Sequence, residues 1–210
     1  SHPDADARRD AALLVDILTP VVKSWPSTYG CVSNDMAIQI LGGSGYTREY
    51  LLEQLYRDQR LNPIHEGAEA IHALDLLGRK VVMHSGAAYR LFRQTVDSTL
   101  AEARAVTELA ALASAFSKPL SQLDEVTRLL VDLQQSDPDR ALANANLYLD
   151  AFGRITAAWI WLKQALAAQR GLIKSDAHEH DFYRGKLHAA HYYIKRELPL
   201  TEPQLELLAN

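Results

Sequence analysis

Apolar residues recur three and four positions apart over long stretches of this chain, and the alternation that marks strands is nearly absent. A sequence of 210 residues patterned this way buries a core only by packing helix on helix, so the expected fold is all-α. Two consecutive helical bundles are expected. Met83-His84-Ser85-Gly86 interrupts the pattern and leaves residues 1–83 and 84–210 as separate domains.

In the first domain, a helix over residues 5–18 ends at Thr19-Pro20, which reads as an N-cap followed by proline at the first position of a new helix. That helix spans residues 20–41, with a kink at Pro26, and stops at Gly42-Gly43-Ser44-Gly45. A short helix over 48–58 and a proline-containing connection over 60–64 follow. In residues 67–82, Ile71, Leu74, Leu77 and Val81 form one buried stripe.

In the second domain, Leu91, Val96 and Leu100 serve a helix over 87–105. Leu120, Leu123, Leu130 and Leu133 serve a helix after Val106, divided at Pro119. Asp137-Pro138 repeats the cap-then-proline start. Leu142, Ala145, Leu149, Phe152, Thr156 and Trp159 hold a heptad-like spacing suited to antiparallel packing. A last helix over 182–198 ends at Pro199.

The net charge of −4 argues against a nucleic-acid binder, which carries a basic excess. No uninterrupted apolar run reaches the length of a membrane span. The single cysteine, Cys31, permits no internal disulfide and reads as a small core residue, so a cytoplasmic location is expected. The chain opens Ser1-His2-Pro3 without Met, which reads as a tag remnant followed by the interior of a longer protein. Trp25, Trp159 and Trp161 read as packing or interface residues, and Arg57-Asp58 as a structural ion pair. His178, His180, His188 and His191 read as loop and helix-surface residues, since a metal site needs three or four convergent ligands, and no metal is expected.

The stretch that carries chemistry is Gln39-Ile40-Leu41-Gly42-Gly43-Ser44-Gly45-Tyr46, then Arg57-Asp58, then His65-Glu66-Gly67. A helix ends in a glycine-rich turn, where glycine permits positive φ and close approach of a ligand to the main chain. A second helix starts just after one carboxylate, Glu66. Each piece alone has a plain structural reading, as a C-terminal cap or as an acid that suits a helix dipole.

Together, in this order and spacing, they resemble the C-terminal signature of the acyl-CoA dehydrogenases. Ala73-Leu74-Asp75-Leu76-Leu77-Gly78-Arg79-Lys80 and Phe182-Tyr183-x-Gly185-Lys186-Leu187 resemble the branch with an extra C-terminal helical domain, which acts on 3-methylmercaptopropionyl-CoA and some long-chain acyl-CoAs. The resemblance implies α,β-dehydrogenation of an acyl-CoA thioester with FAD as cofactor. It implies that Glu66 is the base for the α-proton, and that Gly67 lets the substrate pass close to the main chain. Gln39, Ile40, Leu41, Gly42 and Gly43 would contact the FAD of a neighbouring subunit in a homo-oligomer, and Ala68 falls at another cofactor position. There the chain departs from the family: Glu66-Gly67-Ala68-Glu69-Ala70 replaces the usual Glu-Gly-Thr-x-Gln, so the hydroxyl and amide that meet the flavin nucleotide are missing. The alternative implied by that departure is a helical oligomerisation module of the same lineage without catalysis.

Overall fold

The computed structural model describes residues 3–65, 67–174 and 176–210, and among these every regular element is helical. Helix α1 spans Ala5–Leu41, with Asp4 capping its start by accepting from the Asp6 amide at 2.9 Å. It runs straight through Thr19-Pro20, so the expected break there is corrected. Thr19 turns its hydroxyl back onto the Val15 carbonyl at 2.6 Å instead of capping a new helix, and Pro20 is buried in packing. Pro26 also lies inside α1. Gly42, at φ 58°, ends it.

A single turn, α2 (Gly43–Tyr46), leads to α3 (Leu52–His65), which packs back along α1. Pro63 lies within α3 rather than in a connection. Helix α4 (Glu69–Asp75) continues into a wider π-helical turn, Leu76–Lys80. The stripe expected here is also corrected. Ala73, Leu76, Leu77 and Val81 are buried, but Ile71 and Leu74 face outward. The wider turn shifts the register and sends Lys80 into the interior, where it meets Asp16 of α1 at 2.5 Å.

Helix α5 (Met83–Arg104) contains the break foreseen at residues 83–86: His84, Ser85 and Gly86 have φ of 50°, 54° and 79°. Two non-glycine residues in the left-handed region are uncommon, and the run reverses the helix locally. The Ser85 carbonyl accepts from the Arg90 guanidinium at 2.5 Å.

Helices α5, α6 (Ala110–Gln134) and α8 (Ala145–Lys174) form the densest part of the core. Pro119 does not divide α6. Asp137 caps α7 (Pro138–Leu142) through the Arg140 amide, as its cap-then-proline pattern predicts. Phe92 and Phe152 stack at 4.7 Å between ring centroids, and Trp159 meets Phe92 edge-on. Two polar pairs are satisfied inside this core: the Trp159 indole donates to Thr99 at 2.9 Å, and Tyr148 and Thr127 share a 2.8 Å hydrogen bond. Burial raises the Tyr148 phenol well above its usual range, so it stays neutral.

Helix α9 (His180–Tyr192) passes through a second π-helical turn, Tyr193–Glu197. The chain does not end its helices at Pro199. A further helix, α10 (Thr201–Leu208), buries Leu205 and Leu208 and packs on α6 and α8. Cys31 is half-buried rather than a core residue.

Candidate functional site

Glu66 lies outside the described residues; the residues on both sides of it are described. Gly67 is buried, and its amide donates to the Asn62 carbonyl at 2.8 Å. A Cβ added there would fall 2.1 Å from the Ser27 hydroxyl of α1, so packing inside this chain requires glycine. Ser27 is held in turn: its hydroxyl donates to Ser24, and its carbonyl accepts from Gln59 at 3.1 Å. Further along the pair, Asn34 donates to the Leu55 carbonyl at 3.1 Å. These contacts set the register of α1 against α3 and pin the segment that follows α3.

Ala68 is the N-cap of α4, and its carbonyl accepts from the Ile71 and His72 amides. No side chain caps this helix. A hydroxyl residue at this position would serve the helix as well as a ligand.

The glycine-rich turn is built differently. Gln39, Ile40, Leu41, Gly42 and Gly43 are all exposed, with Ile40 at 84%. Gly42 needs positive φ, and Gly45 is forced by the Ile38 carbonyl 2.6 Å from where its Cβ would lie. Gly43 has neither reason: a Cβ there would meet nothing within 4 Å. The main chain at Gly43 is therefore exposed with no side chain in the way.

The structure does not bring the two predicted clusters together. Gly67 packs at Ser27, whereas Gly42 lies fifteen positions further along α1. At about 1.5 Å per residue, this places them roughly 22 Å apart along the helix axis. One chain therefore presents its glycine turn at one end of the α1–α3 pair and Gly67 towards the other. Arg57 and Asp58 are exposed and form no ion pair with each other.

A node missed in the sequence joins α1 to α8 near Gly67. The Tyr29 hydroxyl donates to Asp150 at 3.1 Å, and the Arg154 guanidinium donates to Asp150 at 3.0 Å and to the Tyr29 hydroxyl. Arg154 also reaches Glu197, and Gln204 donates to Asp150 at 2.7 Å. Burial and the Asp150 charge push the Tyr29 phenol above its usual range. Glu69 borders the same spot, in a narrow crevice with Ser24, Trp25, Thr28 and Leu149. Partial burial, then the Asp150 charge, raises the Glu69 carboxyl above its ordinary value. The acid–base spacing of Asp150 and Arg154, four apart on one helix, was the available signal. Among the described residues, no three His, Cys, Asp or Glu side chains gather as a metal site requires.

Residues 92–210 match the family described as Acetyl-CoA dehydrogenase C-terminal like, and residues 4–82 match Acyl-CoA dehydrogenase, C-terminal domain. The chain is 31% identical to 3-methylmercaptopropionyl-CoA dehydrogenase of Ruegeria pomeroyi, over 94% of this chain and 33% of that protein. It is 31% identical to the broad-specificity linear acyl-CoA dehydrogenase FadE5 of Mycobacterium tuberculosis, over 96% of this chain and 35% of that protein. A butyryl-CoA dehydrogenase of Syntrophomonas wolfei is 29% identical over 95% of this chain and 33% of its own length. The chain thus spans about one third of the length of the curated relatives it matches.

Proposed function

This chain belongs to the acyl-CoA dehydrogenase family, and from that membership we propose that it forms the C-terminal part of a flavin-dependent enzyme that desaturates acyl-CoA thioesters. Glu66 is the base that takes the α-proton, and Gly67 lies beside the substrate. Bound FAD supplies the hydride acceptor. The α-proton is weakly acidic, so the carboxylate must sit close to it and shed most of its water, which raises its basicity toward the working pH. The Glu66 amide and its neighbours hold the thioester oxygen as it gains charge. We place the division between the two family domains at residues 83 and 84, at the left-handed turn.

The observation that carries this reading is the separation of the glycine turn from Gly67. A turn exposed at the far end of α1, with a Gly43 that internal packing does not require, suits contact with the FAD of a second subunit. Residues 39–43 of one subunit then serve the centre to which another contributes Glu66, which makes a homo-oligomer part of the catalytic unit.

Glu69 is the rival base. Its position between α1 and α8, beside Asp150, supports a structural role instead. In the full-length protein, Glu66→Gln should lower the rate of flavin reduction by acyl-CoA about 10²–10⁴-fold while acyl-CoA binding persists. Glu69→Gln should leave reduction near the parent rate. Stopped-flow reduction at close to the parent rate in the Glu66 variant would overturn the assignment.

The second reading, an assembly module without catalysis, is favoured by Ala68 and Ala70, which lack the polar groups usual beside the flavin. A full-length protein that oligomerises but purifies without flavin would support it.

A further inference from the structure

Outside the predicted site, the face of α9 and the π-helical turn after it carry a concentration of positive charge. Arg184, His188, His191 and Lys195 are spaced four, three and four apart, which places them on one side of the helix. Arg196 joins them around an open cleft of about 600 Å³, which Glu108 and Gln169 also line. The chain as a whole carries a net charge of −4, so this cluster is a local exception.

Its cations are also weakly committed. Arg93, Arg154 and Lys80 each bind carboxylates in partly buried settings. Lys195 and Arg196, by contrast, form no ion pair among the described residues. Arg184 meets only Asp181, at 3.4 Å, and that carboxylate is 94% exposed. Like charges one helical turn apart destabilise a helix. His191 registers the effect: burial, then Lys195, then His188, hold its imidazole below the ordinary histidine range.

We propose that this cleft binds a phosphate-bearing small molecule, with Arg184, Lys195 and Arg196 on the phosphate oxygens and His188 and His191 as further donors. Three permanent cations in a cleft lined by one carboxylate, Glu108, match a ligand carrying two or more negative charges. Guanidinium groups present paired N–H donors that fit phosphate oxygens two at a time. The open mouth leaves room for whatever the phosphate is attached to. This inference stands apart from the catalytic reading, because binding of bare phosphate chemistry requires no flavin and no Glu66.

The test is calorimetric titration of the 210-residue chain with inorganic pyrophosphate at low ionic strength. A dissociation constant below about 1 mM is expected, weakening as salt is added. Replacing Arg184, Lys195 and Arg196 together by Gln should weaken binding at least about tenfold. These side chains are exposed and repel one another, so the variant should melt no lower than the parent. Glu108→Gln should tighten binding. Pyrophosphate should also raise the titration midpoint of His191 in proton NMR. Competition assigns the source: displacement by coenzyme A but not by dephospho-coenzyme A indicates a terminal phosphomonoester, and equal displacement by ATP indicates a free nucleotide or phosphate. No binding at about 1 mM pyrophosphate, or equal binding by the triple Gln variant, overturns the proposal.

Discussion

In the bundle of α5, α6 and α8 most large apolar side chains point inward, and along α1 and α3 many of them point outward. Among the described residues, fourteen of the twenty-one exposed large apolar side chains lie before residue 75, including Met36, Ile40, Tyr46, Leu55 and Ile64. The bundle buries Phe92, Phe116, Tyr148 and Phe152 completely. It therefore supplies most of its own stability, whereas the α1–α3 pair is held by a few specific contacts and presents a surface suited to being covered. The catalytic chemistry we propose falls in the part that packs least on itself.

The sharpest way to break this contrast is a pair of truncations. Phe152→Ala should cost about 3–5 kcal/mol, because it empties a fully packed site between aromatic rings. Ile40→Ala should stay within about 0.5 kcal/mol in the same chain. Urea unfolding measures both, and comparable losses would mean that the two regions are not built differently. Next in size is association. The 210-residue chain should sediment as species larger than a monomer, and Leu55→Lys combined with Ile64→Lys should shift it toward monomer. Monomeric behaviour of the parent at all concentrations would show that the outward apolar face needs no cover.

Two smaller effects bear on the segment after Glu66. Ala68→Thr should stabilise the chain by about 1 kcal/mol, since α4 lacks a side-chain cap at this position. No rise in melting temperature would mean the backbone there cannot place a capping hydroxyl. The smallest effect is at Glu69. A raised carboxyl pKa means that the folded chain holds this proton more tightly than the unfolded chain does. Stability from this group therefore falls as pH rises from the ordinary glutamate value, about 4.3, through the higher folded value. Glu69→Gln should stabilise at pH 7 by well under about 1 kcal/mol, because the carboxylate is largely open to solvent, and should lose that advantage below pH 4. Melting curves at both pH values check the sign.

The same contrast explains what was legible in the sequence. In the bundle, inward-facing residues 145, 149, 152, 156 and 159 follow the heptad read from the chain, because packing there is set by neighbours of the same chain. The stops at Gly42 and at residues 84–86 and the cap at Asp137 were also legible, because backbone conformation and local hydrogen bonds dictate them. Thr19-Pro20 misled because tertiary packing on α1 overrides a local start signal. Ile71 and Leu74 misled because the buried face of α4 is set by Ala73, Leu76 and Leu77, and because apolar character does not reveal whether the burying surface belongs to this chain. At the candidate site, the glycine turn was visible as a motif. The distance from it to Gly67 was not, since it follows from the pairing of α1 with α3. In the node, only the Asp150–Arg154 pair had a readable spacing; Tyr29 lies too far from both in sequence for any spacing rule.

That node also has a consequence for synthesis. Tyr29 and Arg154, which donates to it, are separated by 125 residues. At ribosomal rates of about 5–20 residues per second, the interval between their appearance is about 6–25 s. Throughout that time α1 has emerged without the helix that anchors it, and its apolar side chains are open to solvent. A nascent chain of this design should engage holding chaperones early and release them only once α8 has left the exit tunnel.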